Sequence, residues 1–280
     1  MTAAAAAICS GDTVLLADVG NSRIKLAVVT PSGATADSLR LPAIARRHDL
    51  DSHGFRPAHL EQWLQGAAPG PAVVLVASVH DAAAARLEAA LAAVSATSHR
   101  PLRQRRVGHG DLPLAIAGEV SAPERVGIDR LCGAAAAALV KTPHRAAIVV
   151  DCGTAATVDM LGVDGTFLGG AILPGPALMA RALADGTSKL PEVAALGTSS
   201  PPAMPGRSTH EAIAAGIGFG IQGAVARLVA EGQAALGGNA EVILTGGWRA
   251  AVRAALPGAT EIPDLVLHGI ALAATRACAR

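Results

Sequence analysis

The chain has no tyrosine and only three phenylalanines and two tryptophans among 280 residues. It therefore lacks the series of aromatic rings on which single-stranded bases stack. Charge is sparse too: Asp, Glu, Lys and Arg make up 16% of the residues, and the formal net charge is +1. With neither a basic helix nor a charge-rich tail, direct binding to DNA or another polyanion has little support. The four cysteines, Cys9, Cys132, Cys152 and Cys278, form no CxxC pair and have no histidines at metal-ligand spacing. This argues against zinc and a disulfide framework, and for reduced, mostly buried thiols. No apolar run is expected to approach the roughly 20 residues that span a bilayer, since the positive mean hydropathy comes largely from alanine. The opening run Ala3–Ala7 lacks the basic flank and long apolar core of a secretory leader and reads as a frayed extension. Two phosphate cradles are also missing, the GxxxxGK(S/T) loop and a GxGxxG turn after a strand. Any nucleotide must be held by something else.

Just over half of the residues are apolar, and the length exceeds what one hydrophobic core usually organises. Two similar domains with a ligand cleft between them are expected, one over residues 12–120 and one over 121–280, both of α/β class.

The strongest pattern is a repeat. The apolar run Val14–Ala17 ends at Asp18, breaks at Gly20-Asn21 and resumes as Ile24–Val29 before the turn Thr30–Gly33. The run Ala147–Val150 ends at Asp151, breaks at Gly153-Thr154 and resumes through Val158 and Met160 before Asp164-Gly165. Asp18 thus matches Asp151 and Gly20 matches Gly153, as a duplicated β-meander would require. A strand that stops at an aspartate and turns through glycine brings main-chain N–H groups close to a phosphate chain. Its carboxylate suits Mg²⁺ or the waters around it. Taken singly, such a turn is also explained as an ordinary hairpin with local hydrogen bonding. Two copies facing each other across a cleft can hold a nucleotide, with Ser22 and Lys25 on one side and Thr154 or Thr157 on the other.

Three further segments carry weaker signals. Gly127-Ile128-Asp129-Arg130 sets a potential base beside an anion clamp, although an exposed Asp–Arg pair on a helix explains it equally simply. Thr245-Gly246-Gly247 follows an apolar strand and either lets a base or ribose lie against the main chain or is a plain turn. Gly169–Pro176 places flexible and rigid residues around a short apolar strand, as a pocket wall or hinge would, or is only a loop with constrained geometry. Helices are expected over Pro57–Gln65, Asp81–Val94 and Thr209–Ala235 and from Asp264 onward, with strands at Val73–Ala77 and Val242–Leu244. The capping-box spacing of Ser121–Glu124 predicts a helix running from there to Val140. Ser199–Gly206 is expected to be a loop.

In order along the chain, DVGNSRIK (Asp18–Lys25), GIDR (Gly127–Arg130), DCGTAATVD (Asp151–Asp159), GGAILPG (Gly169–Gly175) and TGG (Thr245–Gly247) closely resemble type III pantothenate kinase. The resemblance implies two ribonuclease-H-like domains of the actin and sugar-kinase kind, each a mixed β-sheet flanked by helices. It further implies a cytoplasmic homodimer that uses ATP to phosphorylate the 4′-hydroxyl of pantothenate, the first step of coenzyme A synthesis. By position, Asp18, Val19, Gly20, Asn21, Ser22, Arg23, Ile24 and Lys25 would bind ATP, with Thr154 contributing from the second loop. Asp129 would accept the hydroxyl proton, while Gly127, Ile128, Asp129, Arg130 and Thr187 would line the pantothenate site. Asp151 would hold an activating K⁺ or NH₄⁺, and Asp18 would reach Mg²⁺ through water.

The chain departs from the family pattern in places. It has no aromatic residue before GIDR, a wall that residues near Leu112–Ile116 are expected to supply instead, and it has Cys152 where phenylalanine is common. A sugar or acetate-like kinase of the same superfamily would keep the hairpins but not GIDR and Gly186–Pro191. A regulatory nucleotide-binding protein would keep the fold without turnover, yet Asp129 and Asp151 are both present. Neither nucleic acid nor membrane is an expected partner.

Overall fold

The computed structural model describes residues 13–29, 41–193 and 202–278. Ala3–Ala7, Cys9, the Thr30–Gly33 turn and residues 199–201 of the expected loop lie outside them. Two compact units emerge, one from residues 1–115, 121–140 and 265–280, the other from 116–120 and 141–264. A single cut between 120 and 121 does not describe them, because two helices that follow the cut pack on the first sheet.

The first sheet contains β1 (Thr13–Val19), β2 (Arg23–Val29), β3 (Ile44–Asp51), β4 (Ala72–Ser78) and β5 (Leu102–Arg106), in the order β3-β2-β1-β4-β5. Strands β1, β2 and β3 are antiparallel neighbours, and β4 and β5 continue parallel to β1. The second sheet contains β6 (Ala147–Cys152), β7 (Ala155–Leu161), β8 (Phe167–Pro174), β9 (Glu241–Gly246) and β10 (Thr260–Glu261), in the order β10-β9-β6-β7-β8. Beginning from its own first hairpin this is the same order with the same directions, and the order 3-2-1-4-5 is the ribonuclease-H-like one. The repeat read in the sequence is therefore a repeat of topology.

Alternation along β1 assigns each face of the first sheet. Leu15, Ala17 and Val19 point to a core completed by Leu60 and Leu64 of α1 (Pro57–Ala67) and by Ala83, Ala84, Leu87 and Leu91 of α2 (Asp81–Thr97). Fully burying one such leucine contributes about 1.5–3 kcal/mol. Buried Arg100 donates to the Leu64 and Ala68 carbonyls and so satisfies the C-terminal end of α1. The opposite face carries Val14, Leu16 and Asp18 and meets α3 (Ile128–Val140) and α6 (Leu265–Cys278). Helices α3 and α6 cross closely: a Cβ at Gly269 would overlap the backbone carbonyl of Cys132.

In the second unit α4 (Pro176–Asp185) follows β8, and α5 (Thr209–Ala235) covers one face of the sheet. By length and composition alone α5 is long and apolar enough to cross a membrane, which corrects the expectation that no such run exists. Its buried residues nevertheless recur every fourth position. Ile213 and Ile217 meet Ala180 of α4, while Ile221, Val225 and Val229 pack on Ile148, Val150 and Val158. That is the stripe of a core helix.

The structure corrects three local readings. Pro123–Arg125 is a short 3₁₀ turn with no side-chain cap, and α3 begins only at Ile128. Gly169–Pro174 belongs to strand β8 and is not a loop. Leu112 is sealed in the core at 1% exposure and cannot form a wall of a substrate pocket.

Candidate functional site

In the first unit β1 runs into β2 through Gly20, Asn21 and Ser22, and the turn is closed by Gly20 N–H donating to the Arg23 carbonyl at 3.0 Å. Asp18 and Lys25 are directly opposed across the strands, and the Lys25 ammonium lies 3.2 Å from Asp18 Oδ2. Asp18 is only 6% exposed, so its carboxylate must be compensated, and Lys25 supplies a positive charge. Ile24 is fully buried and anchors the return strand. Ser52, at the end of β3 and itself buried, donates its hydroxyl to the Gly20 carbonyl at 2.8 Å. Its own N–H donates to the Ser22 carbonyl at 3.2 Å.

The GIDR segment lies at the opening of α3. Asp129 stands in the first turn, where a carboxylate complements the helix dipole, and its Oδ1 accepts from Arg130 N–H at 2.8 Å. Asp129 Oδ1 lies against Gly127, where an added Cβ would come to 2.5 Å and oblige the carboxylate to move. One turn on, the buried Cys132 thiol is pushed well above its ordinary range, first by burial and then by the negative fields of Asp18 and Asp129. Both carboxylates thus act on one buried atom, in keeping with the face that Asp18 shares with α3.

The second hairpin is built alike but turns more tightly. Gly153 N–H donates to the Ala155 carbonyl at 3.1 Å, and Gly175 N–H takes the Thr154 carbonyl at 3.1 Å. A Cβ on Gly175 would come within 2.6 Å of that same oxygen. Trp248, just after the Thr245-Gly246-Gly247 turn, donates its indole N–H to the Gly153 carbonyl at 2.6 Å and its main-chain N–H to the Cys152 carbonyl at 3.3 Å. Gly246 has φ +93°, and a Cβ there would lie 2.5 Å from Asp151 Oδ1. The glycine therefore lets the end of β9 pack closely against the Cys152 backbone and this carboxylate. Burial first, and then the charge of Asp151, hold the Cys152 thiol far above its usual range against a smaller opposing pull from Arg249.

Among the described residues no group of three or more His, Cys, Asp or Glu side chains could hold a metal. A cation at Asp151 or Asp18 would rest on one carboxylate with main-chain oxygens or water, a donor set that suits hard, oxygen-preferring ions.

The structure brings Asp18, Asp129 and the first hairpin together within one unit, and Asp151, Thr154 and Gly246 within the other. Thr187 is different: it is exposed, donates to the Leu183 carbonyl at 2.7 Å and accepts from Leu190 N–H at 3.3 Å, closing the end of α4. Two residues that sequence reasoning missed are Ser52 and Trp248. A lone serine after a polar strand carries no signal. A tryptophan immediately after a glycine turn, in a chain with only two, could have been noticed.

Comparison with known proteins agrees with this architecture. A type III pantothenate kinase of Halorhodospira halophila is 38% identical over 272 residues, covering 91% of this chain and 95% of that protein. The one from Rhodopirellula baltica is 35% identical over 271 residues, covering 90% and 95%. A solved structure of a Campylobacter jejuni protein, described as a Baf family transcriptional activator, superposes with a TM-score of 0.53 over 93% of this chain and 97% of that one. At 18% identity this likeness concerns the fold alone. The family model for type III pantothenate kinase matches residues 14–231, and the chain belongs to that family.

Proposed function

We propose that this chain transfers the γ-phosphoryl group of ATP to the 4′-hydroxyl of pantothenate, with Asp129 as the proton acceptor. Family membership makes it a kinase of coenzyme A synthesis. The observation that carries the residue assignment is that Asp129 opens α3 on the face of the sheet where β1 ends in Asp18. In the reaction the pantothenate oxygen bonds to the γ-phosphorus, the bond to the β,γ-bridging oxygen breaks, ADP leaves, and the hydroxyl proton passes to Asp129. Turn amides of Asn21 and Ser22, with Lys25, stabilise charge on the phosphates, and Thr154 contributes by its position in the family pattern. Arg130 is suited to grip the pantothenate carboxylate as a planar donor, with Gly127 and Ile128 lining that side. Thr187 is assigned to the substrate only by its position in the family pattern.

Mg²⁺ arriving with ATP would draw charge from the transferring group, with Asp18 within reach through water. Asp151 is assigned to K⁺ or NH₄⁺ by its position in the family pattern, and a single carboxylate is a donor suited to such oxygen-preferring ions. On family grounds the chain works as a cytoplasmic homodimer.

The test is ADP release from purified protein with ATP, Mg²⁺ and K⁺, with and without pantothenate, the product being identified by mass. Pantothenate-dependent release of ADP with matching phosphopantothenate is expected, and its absence would refute the activity. Replacing K⁺ by Na⁺ should lower the rate; equal rates would remove the cation from Asp151.

A further inference from the structure

The two hairpins share a feature that the repeated strand-acid-glycine pattern in the sequence does not contain. The matched turn glycines, Gly20 and Gly153, each have their carbonyl oxygen held by a side chain from elsewhere in the same unit. Ser52 Oγ holds Gly20 at 2.8 Å, and Trp248 Nε1 holds Gly153 at 2.6 Å. The two donors are chemically unrelated and reach their turns from different elements: Ser52 follows β3, whereas Trp248 follows β9. Only the bond they make is common to both.

The consequence follows from peptide geometry. Both peptide bonds, 20–21 and 153–154, are trans, so carbonyl and amide hydrogen point in opposite directions. Fixing the glycine carbonyl toward the body of the unit therefore aims the N–H of Asn21, or of Thr154, away from it. Without the clamp the peptide can rotate and turn a carbonyl toward an approaching phosphate, replacing a donor with a repelling oxygen. Each clamp is itself braced. Arg86 donates to the Ser52 carbonyl, and Ser52 N–H is tied to Ser22. The Trp248 ring packs on the second unit's core, and its own N–H is tied to Cys152.

We propose that Ser52 and Trp248 are positioning residues for the nucleotide, paired carbonyl clamps that keep the turn amides of the two hairpins aimed as phosphate donors before ATP arrives. This deepens the kinase reading and rests on the hairpins' binding the ATP phosphates.

Trp248→Phe keeps the ring but removes the donor. It should raise KM for ATP about 3- to 10-fold, the usual worth of one hydrogen bond. KM for pantothenate should stay in place. Ser52→Ala should act in the same direction, and the double variant should multiply the two effects. Independently, in Trp63→Phe protein, where Trp248 is the only fluorophore of its kind, the non-hydrolysable analogue AMP-PNP with Mg²⁺ should shift the emission and pantothenate alone should not. The clamp is overturned if both single variants keep the wild-type KM for ATP, if KM for pantothenate rises as much as that for ATP, or if Trp248 emission ignores AMP-PNP. In those cases wild-type ADP release still stands and the kinase reading survives. A wild-type protein without pantothenate-dependent ADP release would take both down.

Discussion

The two hairpins have the same strand order and the same acid-glycine turn, yet they answer the charge of the acid in opposite ways. Asp18 faces Lys25 across its strand pair, whereas Asp151 faces the uncharged Thr157 at the matching position. In the first hairpin a lysine sits beside the carboxylate and leaves the turn suited to an anion. In the second, the cross-strand residue is uncharged, and Gly246 packs closely against the acid and the Cys152 backbone. The two copies of one scaffold thus differ in charge at a single cross-strand position.

The largest expected effect tests a residue outside both hairpins. Asp129→Ala should cut turnover about 10²–10⁴-fold, the range of general-base catalysis, while AMP-PNP binding persists because the turns are untouched. Near-normal turnover would remove Asp129 from the chemistry. Next, Gly246→Ala should destabilise the second unit by about 1–3 kcal/mol, since φ is positive there and the new Cβ meets Asp151 and Cys152. Denaturant unfolding reads this directly, and wild-type stability would disprove the crowding. A more selective change is Thr157→Lys, which gives the second hairpin the lysine of the first. Its ammonium should compensate Asp151, so rates in Na⁺ and K⁺ should converge; a retained preference for K⁺ would separate Asp151 from the cation.

The smallest effect concerns the thiols. Cys132 and Cys152 have folded-state pKa values raised above the ordinary one, mainly by burial. Their contribution to stability is therefore fully present below the unfolded thiol pKa and is lost as pH rises above it, because unfolding then releases their protons. Stability should decline only above about pH 9 on this account, and native protein at pH 8 should resist iodoacetamide at both positions. Rapid labelling of either would contradict their burial.

The hairpins were legible because chemistry and geometry coincide there: apolar runs must stop at Asp18 and Asp151, and glycines must follow. The helices over Asp81–Thr97 and Thr209–Ala235 were legible from their periodicity and their length. Strands β3 (IARRHDLD) and β5 (LRQRR) were not, because both are sheet edges whose exposed positions carry charge and break the apolar alternation. Strand β8 was legible only in pieces, because its glycines interrupt the apolar pattern. One of them, Gly170, is required because a Cβ would strike Val158 and Asp159 of the neighbouring strand. In the site, single carboxylates could be placed from motifs. The clamps could not, since Ser52 lies 32 residues from Gly20, and Trp248 lies 95 from Gly153.

The place of α6 bears on how the protein is made. It packs on β1, although the second unit precedes it in the chain. A ribosome must therefore translate the entire second unit before the first can close its sheet. Until then the face bearing Val14 and Leu16 has only α3 to cover it, and a nascent chain stalled before Leu265 would be a target for chaperones or proteases.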